Sequence, residues 1–219
     1  MSVTGVNLAA GRSSRLGRDK LAELLLDGRS IGARVVDTAL NSQLDHVIVV
    51  GSQPFRPDWL TWIFDEALRR DRAEYLYCAE ASTGMSASLK CGLEGATSQG
   101  AQAIMILLAD QPFVQTSSLD ALLHLYHDVH NSSRPEQMYD YIAARNGASV
   151  QPPVILTSTM YEAVRQLQGD CGAGMLLKSG RYRGIYCDYP ADLFMDADTE
   201  LALMHIREME RRAMICANE

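Results

Sequence analysis

A short apolar run, Val3 to Leu8, is followed at once by a segment of small, basic and hydroxyl residues that ends at Lys20. The run predicts a first β-strand, and Gly11 and Gly17 after it can adopt positive φ and let the backbone approach an anion. Free backbone N–H groups and polar side chains there can donate hydrogen bonds to phosphate oxygens. The segment therefore indicates nucleotide chemistry at the end of a strand. The side-chain donors it offers are Arg12, Ser13, Ser14, Arg15 and Lys20.

The spacing of this segment differs from two common phosphate-binding motifs. Five residues separate Gly11 from Gly17, and Lys20 has no hydroxyl neighbour. The glycines of a P-loop are closer together, and a Ser or Thr follows its lysine. The G-x-G-x-x-G fingerprint of dinucleotide-binding folds is also missing. A basic surface loop whose glycines serve only to turn the chain is the alternative interpretation.

Charge and cysteine content exclude several classes of protein. The 219-residue chain has a formal net charge of −7, which argues against the basic face that nucleic-acid binding requires. Its five cysteines are odd in number and lack Cys-x-x-Cys spacing, so we expect neither a zinc site nor a disulfide framework. No secretion signal and no apolar run of transmembrane length is found. We therefore expect a cytoplasmic protein with no nucleic-acid or membrane partner.

Strand-like and helix-like segments alternate along the chain. Apolar runs such as 47–50 and 104–108 are typical of strands buried in a parallel sheet. Their alternation with helices predicts an α/β fold, a single domain over residues 1–219 with three α/β/α layers and a Rossmann-like, mainly parallel sheet. The predicted strands are 3–8, 47–50, 74–78, 104–108, 139–144, 154–156 and 182–186. The predicted helices are 31–41, one opening at 57–58, 85–93, 116–130, 158–167, 172–177 and 200–211, and 131–137 is predicted as a polar loop.

Aspartates follow the strongest predicted strand and the last one. Asp110 comes directly after 104–108, and ligands of such sheets bind at the carboxyl ends of strands. Mg²⁺ usually takes one or two carboxylates together with substrate phosphates, so Asp110 and one of Asp196 and Asp198 are candidate metal ligands. The alternative for Asp110 is a turn before Pro112, and for Asp198 it is helix capping.

Two further segments combine glycine with polar residues. Thr83 to Lys90 places Gly and Ser at a predicted helix N-terminus, which suits an anionic or nucleotide ligand. An ordinary serine-capped helix is the alternative. Gln168 to Gly174 is a second glycine-rich turn, for which a loop with permissive glycines is equally consistent. The five histidines and Cys171 offer no convincing site.

These segments resemble, in chain order, the motifs of the MobA-like nucleotidyltransferases, a group that includes the enzymes attaching CMP or GMP to molybdopterin. Residues 8–20 resemble the signature Leu-Ala-Ala-Gly-x-Ser-x-Arg-Met-Gly-x-x-Lys. Leu-Ala-Asp-Gln-Pro-Phe, which contains Asp110, resembles the metal-binding segment of the cytidylyl enzymes. Residues 84–89 resemble the nucleotide-contacting Gly-Met-x-x-Ser-Leu, and residues 196–199 resemble Asp-x-Asp-Thr, which favours Asp198 as the second metal ligand.

The resemblance has departures on the acceptor side. Residues 169–174 resemble Gly-Asp-x-Gly-Ala-Arg, but Gly174 stands where the family usually carries arginine, which removes a bidentate phosphate donor. Gln151 and Pro152 replace part of a Gly-x-Pro segment, and residues 200–202 replace Pro-Glu-Asp. These differences affect the identity of the acceptor more than the type of reaction.

The resemblance implies a nucleotide-diphospho-sugar transferase type of fold and a Mg²⁺-dependent transfer of CMP, or less favourably GMP, from CTP or GTP to the phosphate of molybdopterin. It also implies pyrophosphate release and a possible client of the xanthine dehydrogenase type. The implied catalytic residues are Lys20 and Arg15; the nucleotide-binding residues are Leu8, Ala9, Ala10, Gly11, Ser13, Gly84, Met85, Ser86 and Ser88. The implied metal ligands are Asp110, Asp198 and Asp196, and the acceptor-binding residues are Gln111, Pro112, Gly169, Asp170 and Gly172.

The base and the acceptor stay open at this point. Ala10 favours CTP, because the guanylyl relatives show Leu-Ala-Gly-Gly, whereas Asp19-Lys20 is more similar to the guanylyl form. One alternative function is nucleotidyl transfer to a sugar or polyol phosphate on the same scaffold. Another is a non-catalytic molybdenum-cofactor carrier or chaperone.

Overall fold

A central β-sheet with helices on both faces forms the molecule. The computed structural model describes residues 1–11, 16–131 and 138–216. Seven strands lie within these residues: β1 Val3–Leu8, β2 His46–Gly51, β3 Ala73–Tyr77, β4 Ala103–Leu108, β5 Tyr141–Asn146, β6 Ser149–Thr157 and β7 Gly184–Asp188. The α-helices described are α1 Ile31–Leu40, α2 Asp58–Arg69, α3 Met85–Ser98, α4 Thr116–Asn131, α5 Tyr161–Arg165, α6 Ala173–Lys178 and α7 Glu200–Cys216.

The strand order is β3-β2-β1-β4-β6-β5-β7. β1 pairs in parallel with β2 and β4, and β2–β3 and β5–β7 are also parallel. Only β6 runs against both of its neighbours, β4 and β5. It does so because a tight turn through Gly147, whose φ is +55°, folds β6 back on β5. The predicted mainly parallel α/β architecture is confirmed, although the reversed strand was not predicted.

Helices cover the two faces of the sheet, and the strand residues are sorted between them. Val47 and Val49 belong to the core packed by α1, α2 and α4, whereas Ile48 and Val50 belong to the core packed by α3, α5 and α6. Because both faces of the sheet are buried, residues 47–50 of β2 are all apolar and do not alternate with polar residues. α7 packs on a smaller cluster around Leu21 and Ile31.

Several predicted boundaries shift. α3 continues to Ser98 because Leu89, Leu93 and Ala96 form one buried stripe along it. The predicted helix 158–167 is a 3₁₀ turn followed by the short α5. The strand predicted at 182–186 is β7, two residues later, where Gly184 lies opposite the Tyr141 ring. Most of the loop predicted at 131–137 lies outside the described residues. In the described parts of the chain, no helix is long and apolar enough to cross a membrane.

Candidate active site

A cavity of about 560 Å³ opens at the carboxyl ends of β1 and β4. The segments after these strands are held side by side, since Ala109 N donates to Leu8 O at 3.2 Å. This edge of a parallel sheet is where such folds bind ligands. Many of the residues singled out from the sequence line the cavity: Leu8, Ala10, Gly11, Lys20, Gly84, Met85, Ser88, Asp110, Asp170, Asp196 and Asp198.

Lys20 lies between two of the predicted metal ligands. Its ammonium donates hydrogen bonds to Asp110 Oδ2 and to Asp198 Oδ1. Lys20 itself is only 8% exposed and begins a 3₁₀ turn, Lys20–Ala22, which Asp19 caps by accepting from Leu21 N at 3.0 Å. Burial acts to lower the pKa of Lys20, but the two carboxylates outweigh it and the pKa is raised. The lysine is therefore held charged at the centre of the site.

Asp196 adds a third carboxylate to the same cavity. Burial, reinforced by the nearby charge of Asp110, raises its pKa to about 6. Gln111, which is 1% exposed, donates from Nε2 to Asp196 Oδ1 at 2.9 Å. Gln111 thus holds Asp196 by this hydrogen bond but does not itself line the cavity. Three carboxylates beside one ammonium give this end of the cavity a net attraction for cations.

Asp198 does not cap the helix that follows it. Thr199 Oγ1 accepts from Ala202 N at 3.1 Å at the start of α7. The threonine therefore supplies the cap and the aspartate turns to Lys20. Capping by Asp198, which the sequence left as an alternative, is wrong. Sequence reasoning did not consider Thr199 as the residue that caps this helix.

The N-terminus of α3 is already occupied by the second glycine-rich turn. Met85 N donates to Asp170 Oδ1 at 3.3 Å, and Ser86 N donates to Gly169 O at 3.2 Å. Gly84, which precedes the helix, provides no side-chain cap. Two backbone N–H groups at this helix end therefore have partners within the chain, and the serine-capped alternative is wrong, because Gly84 precedes the helix. The role of this segment in nucleotide binding stays a prediction. The sequence's nucleotide-side and acceptor-side motifs meet here.

The remaining predicted residues surround the cavity and do not line it. Ala9 N donates to Val50 O at 2.9 Å, and Ala9 lines a second cavity of about 320 Å³ together with Gly17, Asp19 and Gly51. Ser86 and Pro112 are buried. Gly172 lies beside Met85, where a Cβ would come within 2.5 Å of the Met85 Sδ. Ser13 and Arg15 lie outside the described residues.

Similarity to known proteins agrees with this geometry. A family profile described as the MobA-like NTP transferase domain matches residues 5–184. The chain belongs to this family. It is 39% identical over 178 residues to the purine catabolism protein PucB of Bacillus subtilis (strain 168), covering 81% of each chain. It is 28% identical over 163 residues to a phosphoenolpyruvate guanylyltransferase of Sphaerobacter thermophilus, covering 71% of this chain and 72% of the other.

Solved structures share the fold of this MobA-like protein. A molybdopterin-guanine dinucleotide biosynthesis protein A from Archaeoglobus fulgidus superposes with a TM-score of 0.64 at 16% identity, covering 95% of this chain and 99% of that one. A Mycobacterium tuberculosis protein in complex with manganese gives 0.66 at 22% identity, with the same coverage. The predicted fold type is confirmed, and the protein is a nucleotidyltransferase.

Sequence reasoning missed how α7 is tied to residues 18–26 of this MobA-like chain. Arg18 pairs with both Glu23 and Glu200, and Arg207 Nη2 donates to Glu23 Oε2 at 3.0 Å. The buried Glu210 accepts from Leu26 N at 3.0 Å. We call this set the α7 latch. Its α7 residues lie beyond residue 184, where the family match ends, and no local pattern relates residues so far apart.

Proposed function

We propose that this protein transfers CMP from CTP to the phosphate of molybdopterin and releases pyrophosphate, with residues 1–219 acting as one MobA-like domain. The observation that carries the proposal is the contact of Lys20 with Asp110 and Asp198 in the cavity. A lysine and two carboxylates, at the strand ends where nucleotides bind in such folds, are the groups that nucleotidyl transfer requires. Family membership supports the reaction type.

The donors present fit a divalent cation, which we propose to be Mg²⁺. In the described parts of the chain, no cluster of three or more His, Cys, Asp or Glu side chains is arranged for a metal by itself. Mg²⁺ needs only one or two carboxylates when phosphate oxygens complete its shell. Asp110 and Asp198 already share one cation, the Lys20 ammonium, so their oxygens are close enough to share another. The manganese in the mycobacterial structure supports a divalent ion.

The chain's own residues then have separate tasks. Lys20 leaves the carboxylates and donates to the triphosphate, and Arg15 assists it. An acceptor phosphate oxygen attacks the α-phosphorus, the bond to the bridging oxygen breaks, and pyrophosphate leaves. Positioning and charge neutralisation supply most of the catalysis in such a reaction. The bound cation would neutralise negative charge on the phosphates.

The two substrates take opposite sides of the cavity in this proposal. The nucleotide lies along the segments after β1 and before α3, and the acceptor lies toward the second glycine-rich turn. The nucleotide side comprises the cavity-lining Leu8, Ala10, Gly11, Gly84, Met85 and Ser88, together with Ala9 and Ser86, which do not line the cavity, and Ser13, which lies outside the described residues. The acceptor side comprises the cavity-lining Asp170, together with Gln111, Pro112, Gly169 and Gly172, which do not line it. Ala10 favours CTP over GTP. The similarity to a protein named for purine catabolism supports a xanthine dehydrogenase-type client in the cytoplasm.

The deciding experiment measures pyrophosphate release with Mg²⁺, molybdopterin and either CTP or GTP. Wild type is compared with Asp110→Ala and with Asp128→Ala, a matched variant on α4 away from the cavity. We expect CTP-dependent release that Asp110→Ala abolishes and Asp128→Ala retains. No release from folded protein with either nucleotide would contradict the molybdopterin proposal, and release only with GTP would contradict the choice of base.

A second acceptor class is favoured by one residue. Gly174 lacks the guanidinium with which the family usually provides a phosphate fork, and a relative of this chain is named for guanylyl transfer to phosphoenolpyruvate. A different phosphorylated small molecule, such as a sugar or polyol phosphate, therefore remains the second candidate. A panel of such acceptors, assayed with CTP and GTP, separates the two: turnover with a panel member and none with molybdopterin favours the second.

A further inference from the structure

The first turn of α3 is held by groups from a distant part of the chain. Asp170 Oδ1 accepts from Met85 N at 3.3 Å across 85 positions of sequence, and Gly169 O accepts from Ser86 N at 3.2 Å. Helices are normally capped by the residue just before them. Here that residue is Gly84, which has no side chain to do so.

The two turns also touch directly through their backbones. Gly84 has a φ of +135°, and a Cβ placed on it would lie 2.3 Å from Gly169 C and O and 2.6 Å from Asp170 N. Only glycine permits this approach. A further bond extends the contact along α3, since Lys90 Nζ donates to Leu167 O at 3.1 Å. We call these contacts, from Gly84 to Lys90 on one side and Leu167 to Asp170 on the other, the α3 seam.

The seam lies where the cavity's two sides meet. Thr83, Gly84, Met85 and Ser88 line the cavity together with Asp170. The N-terminus of a helix carries a partial positive charge that attracts phosphate. Here the carboxylate of Asp170 already complements that charge. A carboxylate thus already lies at the α3 end of the cavity, which leaves the Lys20 end as the more favourable place for the triphosphate of the proposed function.

We propose that Asp170 is a positioning residue, which sets the first turn of α3 against the nucleotide and so links the acceptor-side turn to nucleotide binding. The proposal rests on the proposed function in that it assigns the nucleotide to this segment. It differs from the role implied by the sequence motif, in which the Gly169–Gly172 turn serves the acceptor alone. Its distinguishing consequence is that Asp170 affects nucleotide binding when no acceptor is present.

The first test is calorimetric titration of the full chain with CTP and Mg²⁺, without acceptor, and with GTP in place of CTP in a parallel series. Asp170→Ala is expected to weaken nucleotide binding roughly fivefold, because a first turn that has lost its cap must be ordered when the nucleotide binds. Asp170→Asn keeps an oxygen that can accept from Met85 N and should restore most of the affinity. Asp128→Ala is the matched control and should bind as wild type does.

Two outcomes would overturn the proposal. One is unchanged nucleotide affinity in Asp170→Ala, which would leave the residue to the acceptor alone. The other is an Asp170→Asn variant as weak as Asp170→Ala, which would mean that the charge acts on a ligand directly. Lys90→Met is a second variant, with a smaller loss expected in the same direction, and it serves if Asp170→Ala is unstable.

Amide hydrogen exchange keeps this test separate from the proposed function. Exchange at Met85 and Ser86 should be several times faster in Asp170→Ala than in wild type, and near the wild-type rate in Asp170→Asn. Equal rates in all three proteins would refute the capping role. If wild type binds neither nucleotide, the proposed function fails, while the exchange rates still decide what Asp170 does.

Discussion

The two ends of the cavity are held together in different ways. At one end, Lys20 forms ion pairs with Asp110 and Asp198, so the contacts are made by side chains alone. At the other, the α3 seam joins Gly84 to Gly169 and Asp170 mainly through backbone groups. In the proposed function the charged end exchanges its lysine for another cation, which requires only side chains to move. The seam has little freedom, because its contact distance depends on the absence of a Cβ.

The largest effect is expected at the charged end. Lys20→Met should lower kcat/KM for pyrophosphate release by about 10²–10³-fold, as loss of a preorganised transition-state donor does. The same change should tighten binding of Mn²⁺ in the absence of nucleotide, because the competing ammonium is gone. Electron paramagnetic resonance of free Mn²⁺ measures the second effect.

Lys178→Met, an exposed lysine at the end of α6, is the matched control for this prediction. It should change neither turnover nor Mn²⁺ affinity. Mn²⁺ binding that is equal or weaker in Lys20→Met would show that the lysine and the metal do not share the two carboxylates, and the contrast drawn between the two ends would fail.

A glycine substitution tests the seam with an intermediate effect. Gly84→Ala places a Cβ against the Gly169 backbone at a φ of +135°, and such strain costs about 1–3 kcal/mol. A chain of this size should lose roughly 2–4 °C in Tm for each kcal/mol, measurable by thermal unfolding. Nucleotide affinity should fall as well, since the first turn of α3 is displaced.

Gly174→Ala provides the comparison, because among the described residues no atom outside its own stretch of helix lies within 4 Å of the added Cβ, and its φ is not in the left-handed region. Its Tm should stay within about 1 °C of wild type. Unchanged Tm and nucleotide affinity in Gly84→Ala would mean that the backbones of the α3 seam can move apart at little cost. The seam would then be no more rigid than the charged end of the cavity.

The smallest effect is expected in the α7 latch, next to the charged end. The hydrogen bond from Arg18 lowers the pKa of Glu23 below 4.5 in the folded protein. A carboxyl with a depressed folded pKa adds stability above its unfolded pKa and loses it as pH falls through the folded value. Glu23→Gln should therefore lower the free energy of unfolding at pH 7 by the amount typical of an exposed ion pair, about 0–1 kcal/mol. Tm should fall slightly with it.

The pH dependence is the discriminating part of this measurement. Thermal unfolding from pH 7 down to pH 3 should show the Glu23→Gln and wild-type curves converging below about pH 4.5. A difference that persists unchanged at pH 3 would assign the effect to packing and not to charge. Added salt should shrink the difference at pH 7, because the pair is exposed.

The same contrast explains how far the sequence could go. β1, β2 and β4 were predicted because their apolar runs are buried on both faces, and Lys20 and Asp110 because phosphate and metal chemistry needs those residue types in those places. The direction of β6 depends on one tight turn at Gly147, which strand patterning does not encode.

The contacts within the site were harder to predict than its members. The pairing of Asp198 with Lys20 requires Thr199 to take over the helix cap, a competition decided by geometry. The bond from Asp170 to Met85 joins two motifs that were read as separate sites. Such contacts arise from tertiary packing across many residues, so each motif indicated its chemistry but not its neighbour.

The α7 latch has a consequence for how the protein matures during synthesis. Arg18 and Lys20 are synthesised well before their partners, since Glu200 and Asp198 follow them by 182 and 178 positions. Because the contacts are so distant, the carboxylate pair around the lysine cannot form until the segment from Asp198 to Glu210 has left the ribosome. The last strand ends at Asp188, so all the residues of the sheet are made before the charge cluster can be completed. Assembly of the charged end of the cavity therefore waits for the synthesis of residues that follow every strand of the sheet.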